Sequence, residues 1–286
     1  MLARLAEYAY WMARYLERAE NTARLISTGT HLALDQPDSL RIDWQTLIDI
    51  FGGSQAEPPE PGVSAEHQAM RQLIPDSGHP SSIQATVRLA REDARTIRDQ
   101  LPEELHEHLN KLHFHLQQGA EAAIQRQHRY PFLRAVIEHT QAIDGIINGT
   151  LARGPMYQFL MLGRFLERAD MTTRLIEVRT ATLPRDTLDS SPLRDDAVWV
   201  NVLRYLGAYS QYRQQRGLAI QGGKVVDFLL RDERFPRSVR FCLDALDAAL
   251  RDLPAPAGPL EAVEAAGRRA QGPLAAGAAT AELQER

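Results

Sequence analysis

The chain has 286 residues, of which 44% are hydrophobic, and it is long enough to bury one large core or two modest ones. Its formal net charge of -4 and its isoelectric point near 6.2 provide no basic field to hold a phosphate backbone. The composition therefore argues against a disordered chain and against nucleic acid as a general partner.

Cysteine content and hydropathy predict a cytoplasmic protein. Cys242 is the only cysteine, which excludes an intrachain disulfide and a four-thiolate zinc site and fits a reducing compartment. The first residues place Arg4 and Glu7 among apolar side chains and lack the pattern of a signal peptide. No apolar run approaches the roughly 20 residues that cross a bilayer, so we expect no membrane association.

Helical periodicity recurs along nearly the whole chain, and alternating runs rich in Val, Ile and Thr are absent, which predicts an all-α fold. In the first half, one helix is predicted over about residues 2–31. A second begins at a capping box of Ser81 and Gln84 and ends at Arg98, and Pro102 opens a third. Gly- and Pro-rich segments predict breaks at residues 52–53, 57–62 and 75–80.

From residue 131 onwards the chain is predicted to contain five helices whose starts are marked by proline, glycine or aspartate: residues 131–149, 155–180, 195–216, 223–230 and 236–253. We expect one helical domain over residues 1–253, with pseudo-repeats at about 1–150 and 151–253. Residues 254–286 have few large apolar side chains and are predicted to be a weakly helical or disordered tail.

One sequence pattern occurs twice in the chain. The segment RYLERA at residues 14–19 matches RFLERA at residues 164–169, and the similarity continues to Ile26 and Ile176. A chance match of this density is implausible, so we infer an internal duplication of a long Glu-Arg-motif helix within a helical bundle.

Helical geometry places one arginine of each motif on the packed face. At 100° per residue, Arg18 falls inside the apolar arc of its helix, one heptad from Trp11 and from Leu25, and Arg168 occupies the equivalent place in the second copy. Such an arginine needs a carboxylate or an aromatic partner, because an unpaired buried charge is costly.

The acidic residues of the motif give two different predictions. If the two helices pack about a pseudo-twofold axis, Glu17 lies near Arg168 and Glu167 lies near Arg18. By helical position alone, Glu17 projects towards the polar side, near Arg14. The i,i+4 pair of Glu20 with Arg24, which Asp170 and Arg174 reproduce, is interpreted as a solvated surface pair that contributes only about 0.3–0.5 kcal/mol.

Four segments resemble the Alpha-E family, a bacterial helical domain named for its glutamate-arginine motif. They are MLARLAEYAYWMARYLERAENTARL (1–25), SSIQATVRLAREDARTIRDQL (81–101), LGRFLERADMTTRLIEV (162–178) and DFLLRDERFPRSVRFCL (227–243). The resemblance spans about residues 1–253. It maps the family motif onto Arg14, Glu17, Arg18, Arg164, Glu167 and Arg168, with Arg91 and Glu92 in the middle segment.

The resemblance implies a role in a peptide- or amide-bond-forming system. Alpha-E proteins are encoded beside, or fused to, circularly permuted ATP-grasp proteins, often with a transglutaminase-like protease nearby. We therefore expect an accessory or substrate-handling component of an ATP-grasp amidoligase system, with these proteins as partners. The chain has no phosphate-binding glycine loop, so we expect no cofactor of its own and ATP bound by the partner. Family members usually continue with further regular helices, from which the sequence beyond Pro254 departs.

Two alternative functions remain open. The chain is an enzyme in its own right if Glu17 or Glu167 acts as acid/base and Arg18 or Arg168 clamps an anion. It is a purely structural helical adaptor if the motifs neutralise each other in a packed core. A concave pocket lined by Glu17 and Arg168, with a raised carboxyl pKa, would favour the enzyme.

The remaining candidate residues are interpreted conservatively. Arg237 and Ser238 precede a helix whose free N–H groups provide a secondary candidate for anion binding. Cys242 is expected to be a buried, inert thiol. No metal site is expected, because leucines form the buried stripe of the histidine-rich segment and leave its imidazoles on a solvated face: His106, His108, His113 and His115.

Overall fold

The computed structural model describes residues 3–35, 43–51, 62–182, 192–254 and 256–272. Within these ranges the chain forms α-helices and short 3₁₀ turns and no strand, which confirms the all-α class. The α-helices are α1 (Ala3–Asp35), α2 (Trp44–Ile50), α3 (Ala65–Leu73), α4 (Ile83–Thr96), α5 (Glu103–Gly119), α6 (Arg126–Thr150), α7 (Pro155–Thr182), α8 (Pro192–Tyr205), α9 (Tyr209–Arg216), α10 (Gly222–Arg231), α11 (Val239–Arg251) and α12 (Ala257–Gln271).

Helix α1 is the centre of the bundle and packs against α4, α6, α7 and α8. Its alanines Ala9, Ala19 and Ala23 are fully buried and let neighbouring helices approach closely, while Leu16 and Ile26 fill the space between them. The sequence predicted that the apolar arc of the helix forms its packed face. The middle of α1 is instead buried nearly all round, because helices cover it on several sides.

Helices α1 and α7 run in the same direction and touch through small residues. A Cβ atom on Gly163 would stand 2.1 Å from the carbonyl oxygen of Tyr10 and 3.1 Å from the Cβ of Ala13. Ala13 and Gly163 occupy equivalent positions in the two motif helices. This close crossing brings the motif glutamates, one turn further along each helix, within reach of the opposite helix.

Serine caps begin α4 and α11, and neither start is at the predicted residue. Ser82 caps α4, since its Oγ accepts the N–H of Ala85 at 3.0 Å. The predicted cap, Ser81, instead donates its hydroxyl to the carbonyl of Phe51 at 3.0 Å. Ser238 caps α11, so Pro236 lies two residues before that helix rather than opening it.

Pro131 lies inside α6, which starts five residues earlier than predicted. The first turn of α6 is fixed by Arg129, which is only 2% exposed. Its guanidinium donates to the carbonyl of Ile124 at 2.5 Å, to Thr30 of α1 at 3.1 Å and to Glu66 of α3 at 2.7 Å. These bonds outweigh the single backbone N–H that proline lacks.

The C-terminal third differs from the prediction in one helix. The helix predicted over residues 195–216 is divided into α8 and α9, with Gly207 between them at a φ of 64°. Of the two alternatives predicted for the tail, helix applies to α12, which packs Val263 and Ala266 against the Leu243 and Leu246 side of α11. Residues 273–286, the predicted break at 52–53 and all but the last residue of the predicted break at 57–62 lie outside the described ranges.

No helix in the described ranges combines the length and the apolar character that crossing a bilayer requires.

Candidate functional site

The two motif glutamates bind the motif arginines of the opposite helix. Glu167 accepts the Nε of Arg18 at 2.6 Å and its Nη2 at 2.9 Å, and it also accepts the Nε of Arg14 at 2.7 Å. Glu17 accepts the Nε of Arg168 at 2.9 Å and its Nη2 at 2.7 Å. The reciprocal pairing predicted from the repeated motif is confirmed. The prediction that Glu17 projects to the polar side is wrong, because it is 3% exposed.

Arg237 joins this network from the loop before α11. Its guanidinium donates to Glu17 at 3.2 Å, to Asn21 at 2.6 Å and to Glu20 at 3.0 Å. The anions that Arg237 binds are therefore the carboxylates of α1, and Ser238 serves as a helix cap. Arg237 was predicted only as a secondary candidate, because no residue near it in the sequence indicates a partner more than 200 residues away.

The Glu20–Arg24 pair is not the surface pair that was predicted. Glu20 is 3% exposed and accepts Arg24 at 2.7 Å, Arg237 at 3.0 Å and the hydroxyl of Thr140 at 3.3 Å. Helix α6 covers this side of α1, so the carboxylate is buried. The equivalent pair of Asp170 and Arg174 is part-exposed, with its ion-pair atoms 3.1 Å apart, in agreement with the prediction.

Arg164 behaves differently from its counterpart Arg14. It is buried and forms an ion pair with Asp144 of α6, whereas Arg14 binds Glu167. Asp144 was missed by sequence reasoning because it lies outside the repeated motif. By the symmetry of the repeat, Arg164 would bind Glu17 as Arg14 binds Glu167. Arg237 binds Glu17 in its place.

The charges of the network determine how its carboxyl groups titrate. Burial would raise the pKa of Glu17, but the guanidiniums of Arg168 and Arg237 outweigh burial and lower that pKa to about 2. For Asp144, burial outweighs the attraction of Arg164 and raises the pKa to about 6. Glu17 is thus held ionised at all ordinary pH values, which suits an ion pair and not a proton donor.

A cation site is the other arrangement that these acidic groups suggest. One oxygen each from Glu17, Glu20 and Asp144 lies within 4.8 Å of the other two. All three carboxylates are already bound by arginines. Guanidinium charges therefore stand where a metal ion would, and the residues fit an ion-pair network better than a metal centre.

The network reaches the surface beside aromatic rings of α1. The Cζ of Arg14 lies 5.7 Å from the ring centroid of Tyr10 and 5.4 Å from that of Trp11, and Trp11 stacks on Tyr15. Two clefts in the described part of the chain are lined by residues other than Glu17 and Arg168.

The turns before α4 and α11 share one hydrogen-bond pattern. Asp76 and Asp232 each accept, through Oδ1, the N–H of the residue two positions later. The carbonyl of each aspartate also accepts the hydroxyl of the capping serine, Ser82 or Ser238. The two turns are 156 residues apart, whereas the motif helices are 150 residues apart.

The motif helices contact these turns in equivalent ways. Thr22 donates its hydroxyl to the carbonyl of Ser81 at 3.2 Å, and Thr172 donates to the carbonyl of Arg237 at 2.8 Å. Arg237 thus stands where the first half has Ser81. The internal duplication stays a prediction, and these parallel contacts support it.

The middle-segment candidates do not join the network. Arg91 donates its Nε to Asn110 of α5 at 2.8 Å, and Glu92 forms an exposed pair with Arg88 at 2.9 Å. Cys242 is buried, and burial raises the pKa of its thiol to about 12, as expected for an inert thiol.

The histidines of α5 are half-buried, so the predicted solvated face is only partly correct. His108 and His115 face His139 of α6, with ring centroids 6.0 and 6.4 Å from its centroid. Sequence reasoning missed His139 because it belongs to another helix.

The fold and the site define a class: an all-helical protein whose repeated Glu-Arg motif closes a buried ion-pair network. The Alpha-E family, described as a predicted α-helical domain with a conserved ER motif, matches residues 1–285. The chain belongs to this family.

The curated relatives of the chain are uncharacterised proteins. One from Mycobacterium bovis and two from strains of Mycobacterium tuberculosis are 22% identical over 275 residues. The aligned region covers 87% of this chain and 30% of each relative, so the chain spans about a third of their length. No solved structure shows significant similarity to the chain.

Proposed function

We propose that this chain is a non-catalytic accessory or substrate-handling component of an ATP-grasp amidoligase system, in which a partner protein binds ATP. Membership of the Alpha-E family supports the proposal, because the family resemblance implies association with ATP-grasp proteins. The curated relatives contain the matching segment within much longer chains, which supports a domain that works together with other polypeptide segments. The proposal requires the cytoplasm, where ATP is available and the Cys242 thiol stays reduced.

The observation that carries the non-catalytic role is the neutralisation of both motif glutamates. Glu17 and Glu167 are each bound by two arginines and are at most 3% exposed. A general acid or base needs a pKa near the working pH and a path to substrate. Glu17, with a pKa of about 2, has neither, which argues against the stand-alone enzyme.

A purely structural adaptor is the second candidate, and the same neutralisation favours it. An adaptor binds only its protein partners, whereas a substrate-handling component also binds a molecule that the system ligates. The adaptor and the substrate-handling component are distinguished by measuring whether the isolated chain binds the substrate of the ligation.

The proposal is tested by co-expression with an ATP-grasp protein and a transglutaminase-like protein from the same genome. We expect a stable complex and an ATP-dependent product, identified by mass spectrometry, whose formation requires this chain. Product formation at the same rate without the chain, together with no complex, would overturn the proposal.

Variants of the motif separate a structural role from a catalytic one. Arg168→Ala leaves Glu17 buried with one partner fewer, so we expect the melting temperature and product formation to fall together. Arg134→Ala, which removes an exposed partner of Glu138, is the matched control and should change neither. Loss of product formation by Arg168→Ala at an unchanged melting temperature would show that the motif is a functional site.

A further inference from the structure

A cleft of about 260 Å³ between α4 and α5 is lined by three arginines. Arg91 and Arg95 lie four residues apart on α4, and Arg98 follows in the 3₁₀ turn after that helix, so the three share one face. Helix α5 contributes His106 and Asn110 to the opposite wall.

Among the described residues, these three arginines have no acidic partner. No carboxylate in the described part of the chain lies within ion-pair distance of Arg91, Arg95 or Arg98. Arg88 of the same helix, which lies outside the cleft, is paired with Glu92 at 2.9 Å. Three like charges that converge without a counter-charge repel one another, and an anion between them would relieve that repulsion.

The polar groups around the cleft are positioned before any ligand arrives. Asn110 accepts the Nε of Arg91 at 2.8 Å, which orients the guanidinium and leaves its Nη groups free for a ligand. Within the described residues the Nε2 of His106 is buried and has no hydrogen-bond partner, and in the tautomer that carries the proton on Nε2 it would donate to a bound oxygen atom. Leu109, 1% exposed, adds an apolar surface that strengthens nearby electrostatic interactions.

We propose that this cleft binds a small polyanion, a molecule with two or more negative charges on phosphate or carboxylate oxygens. Guanidinium groups bind both kinds of oxygen in a bidentate manner. Ligand cavities usually measure about 300–1,000 Å³, so a cleft slightly smaller than this range suits only a compact anion. The cleft is separate from the Glu-Arg network, and this proposal does not rest on the proposed function.

The proposal is tested by calorimetric titration of the full chain with pyrophosphate, citrate and a Glu-rich peptide at constant ionic strength. The double variant Arg95→Gln/Arg98→Gln removes two exposed side chains, so it should fold, which circular dichroism checks. We expect the wild-type chain to bind pyrophosphate or citrate and the double variant to bind at least tenfold more weakly. The matched control, Arg88→Gln, should bind like the wild type.

The relative affinities identify the ligand chemistry. Tighter binding of pyrophosphate indicates a phosphorylated ligand, and tighter binding of citrate indicates a polycarboxylate. Perturbation of the His106 ring resonances by the bound anion gives a second readout. The proposal is overturned if neither anion binds at millimolar concentration, if only the Glu-rich peptide binds, or if the double variant binds as tightly as the wild type.

Discussion

Glu17 lies between the guanidiniums of Arg168 and Arg237, and its carboxylate accepts hydrogen bonds from both. Replacement by glutamine would keep the shape but leave two arginines, each with a side chain only 12% exposed, without their shared counter-charge. For Glu17→Gln we expect a loss of about 3–5 kcal/mol in the free energy of unfolding at pH 7, measured with urea. The control Glu92→Gln, at an exposed pair, should cost less than about 1 kcal/mol.

The effect of Glu17→Gln has a defined pH dependence. The pKa of Glu17 is lowered from 4.5 to about 2 on folding, so its ionised form stabilises the folded state above pH 4.5. That stabilisation is lost as the pH falls through about 2. The difference in unfolding free energy between the wild type and Glu17→Gln should therefore shrink between these two pH values, and a constant difference would contradict the pKa assigned to Glu17.

The pH dependence of stability that Asp93 of α4 causes should have the opposite sign to that of Glu17. Burial, with smaller contributions from Glu92 and Glu7, raises its pKa from 3.8 to about 7, and its Oδ2 has no hydrogen-bond partner. Ionised Asp93 thus destabilises the folded state above pH 7. We expect Asp93→Asn to raise the unfolding free energy at pH 8 by about 1 kcal/mol, discounted for partial exposure, and to lose that gain near pH 4. Thermal melts at both pH values check this.

A residue of the network could be predicted only where the sequence of its own helix indicated its role. Arg18 and Arg168 were identified because each interrupts an apolar arc within its own helix. Glu20 was misjudged because helical periodicity cannot show that α6 covers the far side of α1. Asp144 was missed for a related reason: its partner is set by tertiary packing.

At the scale of helices, the α1–α7 crossing depends on Gly163. A methyl group there would meet the carbonyl oxygen of Tyr10 at 2.1 Å, and backbone atoms cannot move aside as a side chain can. For Gly163→Ala we expect a loss of about 3 kcal/mol in the free energy of unfolding, measured with urea, as the two helices are forced apart.

A second glycine provides the control for that substitution. Gly145 lies inside α6, and a Cβ atom there would have no contact within 4 Å. Gly145→Ala should therefore stabilise the protein by about 0.5–1 kcal/mol through helix propensity alone. Equal effects of the two substitutions would mean that α1 and α7 do not cross as closely as the structure shows.

Helix existence was more predictable than helix boundaries. The long periodic segments of α1 and α7 were identified within a few residues, because the apolar pattern extends over many turns. The start of α6 was placed wrongly because Pro131 is a strong local signal, while the bonds of Arg129 that fix the first turn come from other elements. The helical character of α12 was underestimated because its small side chains become partly buried only by packing against α11.

At the scale of the whole molecule, the network connects segments that are far apart in sequence. Arg18 reaches Glu167 of α7, Arg237 reaches Glu17 and Glu20 from the loop before α11, and Arg164 binds α6. Each of these contacts exists only when both halves of the chain are packed. We infer that the Glu-Arg motif of this family member makes the bundle a single cooperative unit.

A double-mutant cycle on Glu17 and Arg168 tests this structural role most directly. The variants Glu17→Gln and Arg168→Gln and their combination would be compared by urea unfolding, with unchanged m-values as evidence of an intact two-state transition. If the bidentate pair holds the two halves together, the coupling energy should be at least about 1.5 kcal/mol. If the losses in unfolding free energy of the two single variants add up to that of the double variant within about 0.5 kcal/mol, the structural role of the pair is contradicted.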